Sequence, residues 1–553
     1  MYYSNGKFLL NKNIDSMKVD DGKIIWTGRK EEIPEGEECV DLKGKTVLPA
    51  FVETHIHPTI LTELVGKLSI MAPEVNSIEE MIEKLREIDA ANPEASTIEG
   101  WGYDETKFEE GRSPTRYDLD KVSTEKSVRI QRSDLHNCVV NSLALELAGI
   151  DKDYPDPAGG IIHRDEQGAP TGLLSEKAAF LPGEIFAIKS EEEKIRKMVA
   201  TSLELAKYGI GSVSETLGII DEEGDMMDLY LKSMEKGFLQ DVAVYYLWND
   251  TVSSLSQEEI DKRKEGYTAS TGAKVKLSGL KYFLDGTISN GSAGMTKEFP
   301  KIEDSLYVKR DGNTPSEEDK NRELTKGLMT GNKEELREIM KFAKEKGLQV
   351  KTHAMGDHSA DIIIELAEEL GNWIEGAPSI RIEHGTTLRD DQIKKIHELG
   401  IGVSGQSIFF YAEYEPYSKY LDEERFLQIN RLKSLYDPEG IKYPYVALSN
   451  DAPSTYHPEP ANPWLGIEPT VTRRSLTEKA DINQKEKLSL KDALILYTIN
   501  GAMINDMKNI GKLQEGYSAD FMLLEEDLET LPEEELHKIL PSEVYIRGKK
   551  VRF

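Results

Sequence analysis

Along the middle of this chain, apolar positions follow one cycle: a helical stripe, a glycine, then a short apolar run. Ile195, Met198, Val199, Leu203 and Ala206 fall on one helical face, ahead of a run at 211–215. Leu336, Ile339, Met340 and Ala343 make a second stripe, which stops at Gly347 before a run at 348–353. Ile393 and Ile396 lead to Gly400 and a run at 401–404. Apolar spacings of three and four predict helix, the glycine its stop, and the short run a buried strand. Eight strand candidates end near His57, Glu215, Trp248, Asp285, His353, His384, Gln406 and Asp451. Eight parallel strands with helices between them predict an α/β fold closed into a (β/α)8, TIM-type barrel.

The pattern changes at both ends. Residues 7–10 and 23–28 read as short strands, the second entered through the hairpin signal Asp20-Asp21-Gly22. Residues 519–524 and 544–551 are also strand-like. Together they predict one small composite β-sandwich-like domain from 1–49 and 505–553, around a barrel of 50–60 and 185–504. Residues 61–184 separate the first two barrel strands. That is far too long for an ordinary loop and predicts an inserted subdomain over the barrel mouth. The polar stretch at 315–321 is expected to be a surface loop or lid.

Composition narrows the partners. With 553 residues, 38% of them hydrophobic, the chain can bury a large core in more than one domain. A net charge of −31 argues against a nucleic-acid surface, which would be basic, and against anionic lipid. Two cysteines, Cys39 and Cys138, give no disulfide framework and suit a reducing cytoplasm. The first residues lack a basic region leading into an apolar one, and no stretch approaches the ~20 apolar residues that span a bilayer. The expected partner is a small-molecule substrate, without nucleic acid or membrane; a homodimer is compatible with the composition.

The ends of the predicted strands carry the chemistry. His55 and His57 alternate, so they project together from one strand, and paired imidazoles suit a divalent metal such as zinc. The fourth strand carries Lys281 and ends near Asp285, the fifth ends at His353, the sixth at His384, and the eighth near Asp451. Any one of these histidines has a structural explanation. Four of them with a carboxylate at one barrel rim point to a metal centre, and histidine-rich ligation favours zinc over magnesium or calcium.

These residues carry a resemblance. The stretch 44–57, Gly-Lys-Thr-Val-Leu-Pro-Ala-Phe-Val-Glu-Thr-His-Ile-His, and the closing Ile510-Gly511-Lys512-Leu513 with Gly516-Tyr517-Ser518-Ala519-Asp520 resemble the amidohydrolase superfamily of metal-dependent hydrolases. Gly102-Tyr103-Asp104, His136 with 141–145, Lys281 with Asp285-Gly286, and His353 with Gly356-Asp357 resemble the branch that includes N-substituted formamide deformylases.

The resemblance implies one or two divalent ions per subunit. His55 and His57 would hold one ion and His353 and His384 the other. Lys281, carboxylated by carbon dioxide, would bridge them; Lys274 and Lys276 are rivals that the motif sets aside. Asp451 would touch the first ion and move the proton of the attacking water. Trp101, Tyr103, Asp104, His136, Asp285 and Gln406 are candidate substrate contacts. His358 is expected on the helix after His353, and His163, His397, His457 and His537 read as structural or solvated. The expected reaction is hydrolysis of an amide, formamide or cyclic amide C–N bond. An ester or carbamate hydrolase, a lyase or isomerase on the same site, and a non-catalytic scaffold are the alternatives.

Overall fold

The computed structural model describes residues 1–553 apart from 65–66, 72–73, 106, 134, 158–159, 189, 222–223, 290, 299–325, 438–439, 456 and 477–478. The polar stretch 315–321 lies outside the described residues. Eight strands run in chain order through one parallel sheet: Phe51–Ile56, Ile210–Gly218, Asp241–Leu247, Lys274–Phe283, Gln349–Ala354, Ile380–His384, Gly402–Gly405 and Val446–Leu448. The last meets the first. The Asp451 amide donates to the His55 carbonyl (3.0 Å), and the His57 amide to the Ala452 carbonyl (2.9 Å). The sheet is thus drawn into a TIM-type barrel, and the seam is closed by residues of the candidate metal site.

Local chemistry explains the repeat. Helix Lys333–Lys346 starts where the Asn332 side chain accepts from the Glu335 amide, and ends at Gly347 with φ 64°. Its buried face is Leu336, Ile339, Met340 and Ala343. The next strand, Gln349–Ala354, is buried along its whole length, as a parallel strand between helices and barrel interior must be. The interior is partly polar. Lys351 Nζ donates to the Thr54 carbonyl (2.8 Å) and to Ser214 Oγ (2.5 Å), and lies 3.8 Å from the Tyr245 ring centroid. The Arg381 guanidinium donates to Asn505 Oδ1 (2.6 Å). This layer floors the barrel mouth.

Beside the barrel, strands from the two ends of the chain pair. Thr46–Pro49 lies antiparallel to Phe521–Leu524, in a sheet that also holds Lys7–Phe8, Glu543–Ile546 and Lys549–Lys550. A second sheet comprises Tyr2–Ser4, Ser16–Asp20, Lys23–Gly28 and Cys39–Asp41. Asp21 and Gly22 turn its hairpin with φ of 44° and 74°, the left-handed pair a two-residue hairpin favours. Tyr3, Met17, Val47, Phe521 and Tyr545 share one core between the sheets.

Between the first two barrel strands a six-stranded sheet forms, in the order Gly160–Arg164, Pro170–Glu176, Asn137–Val140, Ser127–Arg132, Thr97–Tyr103, Leu68–Ser69. Its own core includes Met81, Leu85, Val128, Ile130 and Val139. Among the described residues, no helix is long and apolar enough to cross a membrane.

Candidate metal centre

Strand alternation puts His55 and His57 on one face at the barrel mouth. His55 Nε2 lies 3.4 Å and His57 Nε2 3.0 Å from Asp451 Oδ1. One ligand atom from each of the three falls within 4.8 Å of the others, a group able to hold a metal ion. Neighbouring strands bring two more imidazoles. The His384 ring centroid is 4.8 Å from that of His55 and 4.5 Å from that of His353. All five side chains are buried. Two stand on left-handed backbone that non-glycine residues rarely adopt: His384 at φ 77° and Asp451 at φ 59°.

Three of the four rings are fixed through Nδ1. His55 Nδ1 lies 2.5 Å from Glu383 Oε2, His353 Nδ1 3.0 Å from Asp285 Oδ1, and His384 Nδ1 2.8 Å from Gln406 Oε1. A carboxylate only accepts, so in His55 and His353 the proton sits on Nδ1 and the Nε2 lone pair is left for a cation. Gln406 spends its amide hydrogens on the Ser404 carbonyl (3.0 Å) and Ser449 Oγ (2.7 Å), which turns its oxygen to His384.

The supports are themselves supported. Asp285 accepts from the amides of Met355, Gly356 and Gly294 (3.1, 2.9 and 2.9 Å) and from Ser359 Oγ (2.8 Å). Glu383 pairs with Arg381 at 2.8 Å.

Burial sets the protonation states. It drives His55, His353 and His384 well below the usual imidazole value, and the Lys281 cation adds to this, so the rings are neutral and able to ligate. Burial also pushes the Lys281 ammonium down to about 8.

A metal fits these residues on independent grounds. Among the described residues of the cleft, His57 Nδ1, Lys281 Nζ, His384 Nε2 and Asp451 Oδ1 are buried without a hydrogen-bond partner. Leaving one such group unpaired costs about 1–3 kcal/mol, and four in one cleft call for a ligand.

The cleft is lined by these groups and by Phe283, Met355, Phe409, Thr287, Ser289, Ser454, Glu413 and His136. Of the candidate substrate contacts, His136 reaches it. Asp285 and Gln406 stand behind His353 and His384, where they orient rings. Trp101 packs with Leu64 and Met71. Tyr103 lies in the core of the inserted sheet, its ring centroid 6.2 Å from that of Phe108. Asp104 is buried 3.5 Å from Arg132.

Lys276 Nζ donates to the Asp506 carbonyl, and Lys274 is exposed at the start of its strand, so neither rival of Lys281 reaches the cleft. Sequence reasoning missed Phe283 and Met355, although each follows Lys281 or His353 by two positions and so shares its face. It also missed Glu383, whose signal was a charge paired at two-residue spacing with Arg381 inside an apolar strand.

A TIM-type barrel with histidines and a carboxylate gathered at the C-terminal ends of its strands is the framework of a metal-dependent hydrolase. A family model described as the Amidohydrolase family matches residues 38–552, and the chain belongs to that family. It is 28% identical to YtcJ of Bacillus subtilis, over 97% of this chain and 96% of that protein. It is 23% identical to the N-substituted formamide deformylase of Arthrobacter pascens, over 97% of this chain and 95% of that one. The crystal structure of an uncharacterized metal-dependent hydrolase from Pyrococcus horikoshii OT3 superposes with a TM-score of 0.72 at 26% identity, covering 96% of this chain and 99% of the other.

Proposed function

We propose that the protein hydrolyses a C–N bond of a small amide, formamide or cyclic amide at a zinc centre. The observation that carries the reading is the set of four buried atoms without a hydrogen-bond partner, His57 Nδ1, Lys281 Nζ, His384 Nε2 and Asp451 Oδ1, in one cleft with imidazoles held neutral. His55, His57 and Asp451 would hold one ion and His353 and His384 a second. Lys281 would lie between them as its carbamate: the neutral amine adds to carbon dioxide and releases one proton. Burial assists by keeping part of the amine neutral. A divalent cation bound here lowers the pKa of water toward ~7 and polarises the scissile carbonyl.

The chain's own groups do the rest. Asp451 accepts the proton of the attacking water and delivers it to the leaving nitrogen as the C–N bond breaks. That delivery matters most when the leaving group is a poor one such as an amine, which favours the C–N reading over an ester. The deformylase relative points to the same bond class. Phe283, Met355 and Phe409 offer an apolar wall for the substrate's non-reacting part.

The test is a panel of amides, formamides, cyclic imides, carbamates and esters assayed with zinc-loaded enzyme and bicarbonate. Turnover concentrated on the amide-like compounds supports the reading. Turnover confined to esters or carbamates contradicts it.

A further inference from the structure

A second cavity, of about 270 Å³, opens where the terminal sheet meets the barrel. Phe8, Leu10, Val47, Pro49 and Leu513 wall it from the terminal side, and Ile499 from the barrel helix Ile499–Ile504. It stands away from the metal centre. Pro49 lies just before strand Phe51–Ile56, and that extended stretch rises roughly 20 Å before the chain reaches His57. The reaction proposed above makes no use of this space.

Three polar side chains complete the lining, Lys512, Asn11 and Gln514, and no carboxylate does. Lys512 is half-buried, with its Nζ 5.9 Å from the Tyr517 ring centroid. Among the described residues it has no carboxylate partner. The lysines that flank the other walls are neutralised. Lys7 Nζ lies 2.6 Å from both Asp527 Oδ1 and Glu529 Oε2, Lys12 Nζ 2.5 Å from Glu529 Oε1, and Lys45 Nζ 2.6 Å from Glu525 Oε1. An ammonium left without a counter-ion in a chain of net charge −31, at the edge of an apolar space, suits an anion with an apolar tail. Asn11 accepts the Asn13 amide through Oδ1 (3.3 Å), so its NH2 group is left to donate to that anion. We infer that this cavity is a binding site for a linear monocarboxylate, its carboxylate on Lys512 and Asn11 and its alkyl chain against Phe8, Val47, Leu513 and Ile499. Size sets the length. At roughly 30 Å³ per small group, the share of one water in the liquid, the cavity takes an acid of roughly six to eight carbons.

Titration calorimetry of the zinc-loaded protein with butanoate, hexanoate and octanoate tests this, with octanol as the uncharged control and Lys512→Gln as the variant. Octanoate should bind wild type with a Kd below about 1 mM, and affinity should rise about 3-fold for each methylene added to butanoate. Octanol should bind about 10-fold more weakly, and Lys512→Gln should weaken octanoate by about 10-fold, the scale of one charge-assisted hydrogen bond. Lys512 stands far from the metal ligands, so an acid held by zinc in the cleft would lose nothing in this variant. Lys512→Met, which keeps the length of the side chain and removes its charge, repeats the test if Lys512→Gln does not fold. Octanoate that binds no more tightly than octanol, that binds the Lys512 variants as it binds wild type, or that shows no binding to wild type at about 10 mM overturns the inference.

Discussion

Asp451 reaches the cleft because its backbone bends into the left-handed region at φ 59° while its amide ties to His55. The role in proton transfer proposed for it gives a direct prediction. Asp451→Asn should lower kcat by roughly 10²–10⁴-fold, the range for general acid–base groups, and leave the melting temperature nearly unchanged. Undiminished kcat would remove Asp451 from the mechanism. Glu383 acts one bond further back, through His55. Glu383→Gln should weaken zinc binding by about 10–100-fold in a competition titration against a chelator, because a neutral amide replaces the carboxylate that raises the ring's basicity. Unchanged affinity would make Glu383 a packing residue. At this scale the nearness of His55, His57 and Asp451 is legible in the sequence, because a period of two and a polar strand end are local signals. The place of Trp101 is not. A Gly-Trp-Gly-Tyr stretch reads the same whether its aromatic faces a cleft or, as here, packs on Leu64 and Met71.

At the scale of elements, the barrel repeat is legible where stripe, glycine and strand follow one another closely, as from Leu336 to Ala354. It blurs where strands are short: the eighth is only Val446–Leu448, and the seventh stops at Gly405, before Gln406. The order of the inserted sheet is not legible, because pairings such as Asn137–Val140 on Pro170–Glu176 depend on non-local contacts that no local pattern encodes.

One element carries a pH prediction. Asp241 opens the third barrel strand, accepts from the Lys274 amide (2.8 Å) and pairs with Arg547 of the terminal sheet (3.3 Å). Burial nevertheless pushes its carboxyl up from 3.8 to about 6. A folded value above the unfolded one means that folding favours the protonated acid. Its stabilising share is therefore full below about pH 4 and lost as pH rises through about 6. Asp241→Asn should gain melting temperature relative to wild type between about pH 4 and 7. A pH-independent difference between the two proteins would contradict this.

At the scale of the molecule, the first and last strands of the chain share one sheet, and the barrel seam is closed by the backbone of His55, His57, Asp451 and Ala452. A cation bound at that seam by its side chains would join the two ends of the barrel. Binding to the folded state alone stabilises it by mass action. Stripping metal with dipicolinate should then lower the melting temperature by roughly 5–10 °C, and zinc with bicarbonate should restore it. A calorimetric trace indifferent to both would argue against a metal at the seam.

Elemental analysis of wild type purified without chelator, beside Lys281→Ala, tests the central claim most directly. The account predicts about two divalent ions per wild-type chain, chiefly zinc, and about one in the variant, because the bridging anion that offsets their repulsion is gone. A wild-type protein that is catalytically active yet free of divalent metal would contradict it.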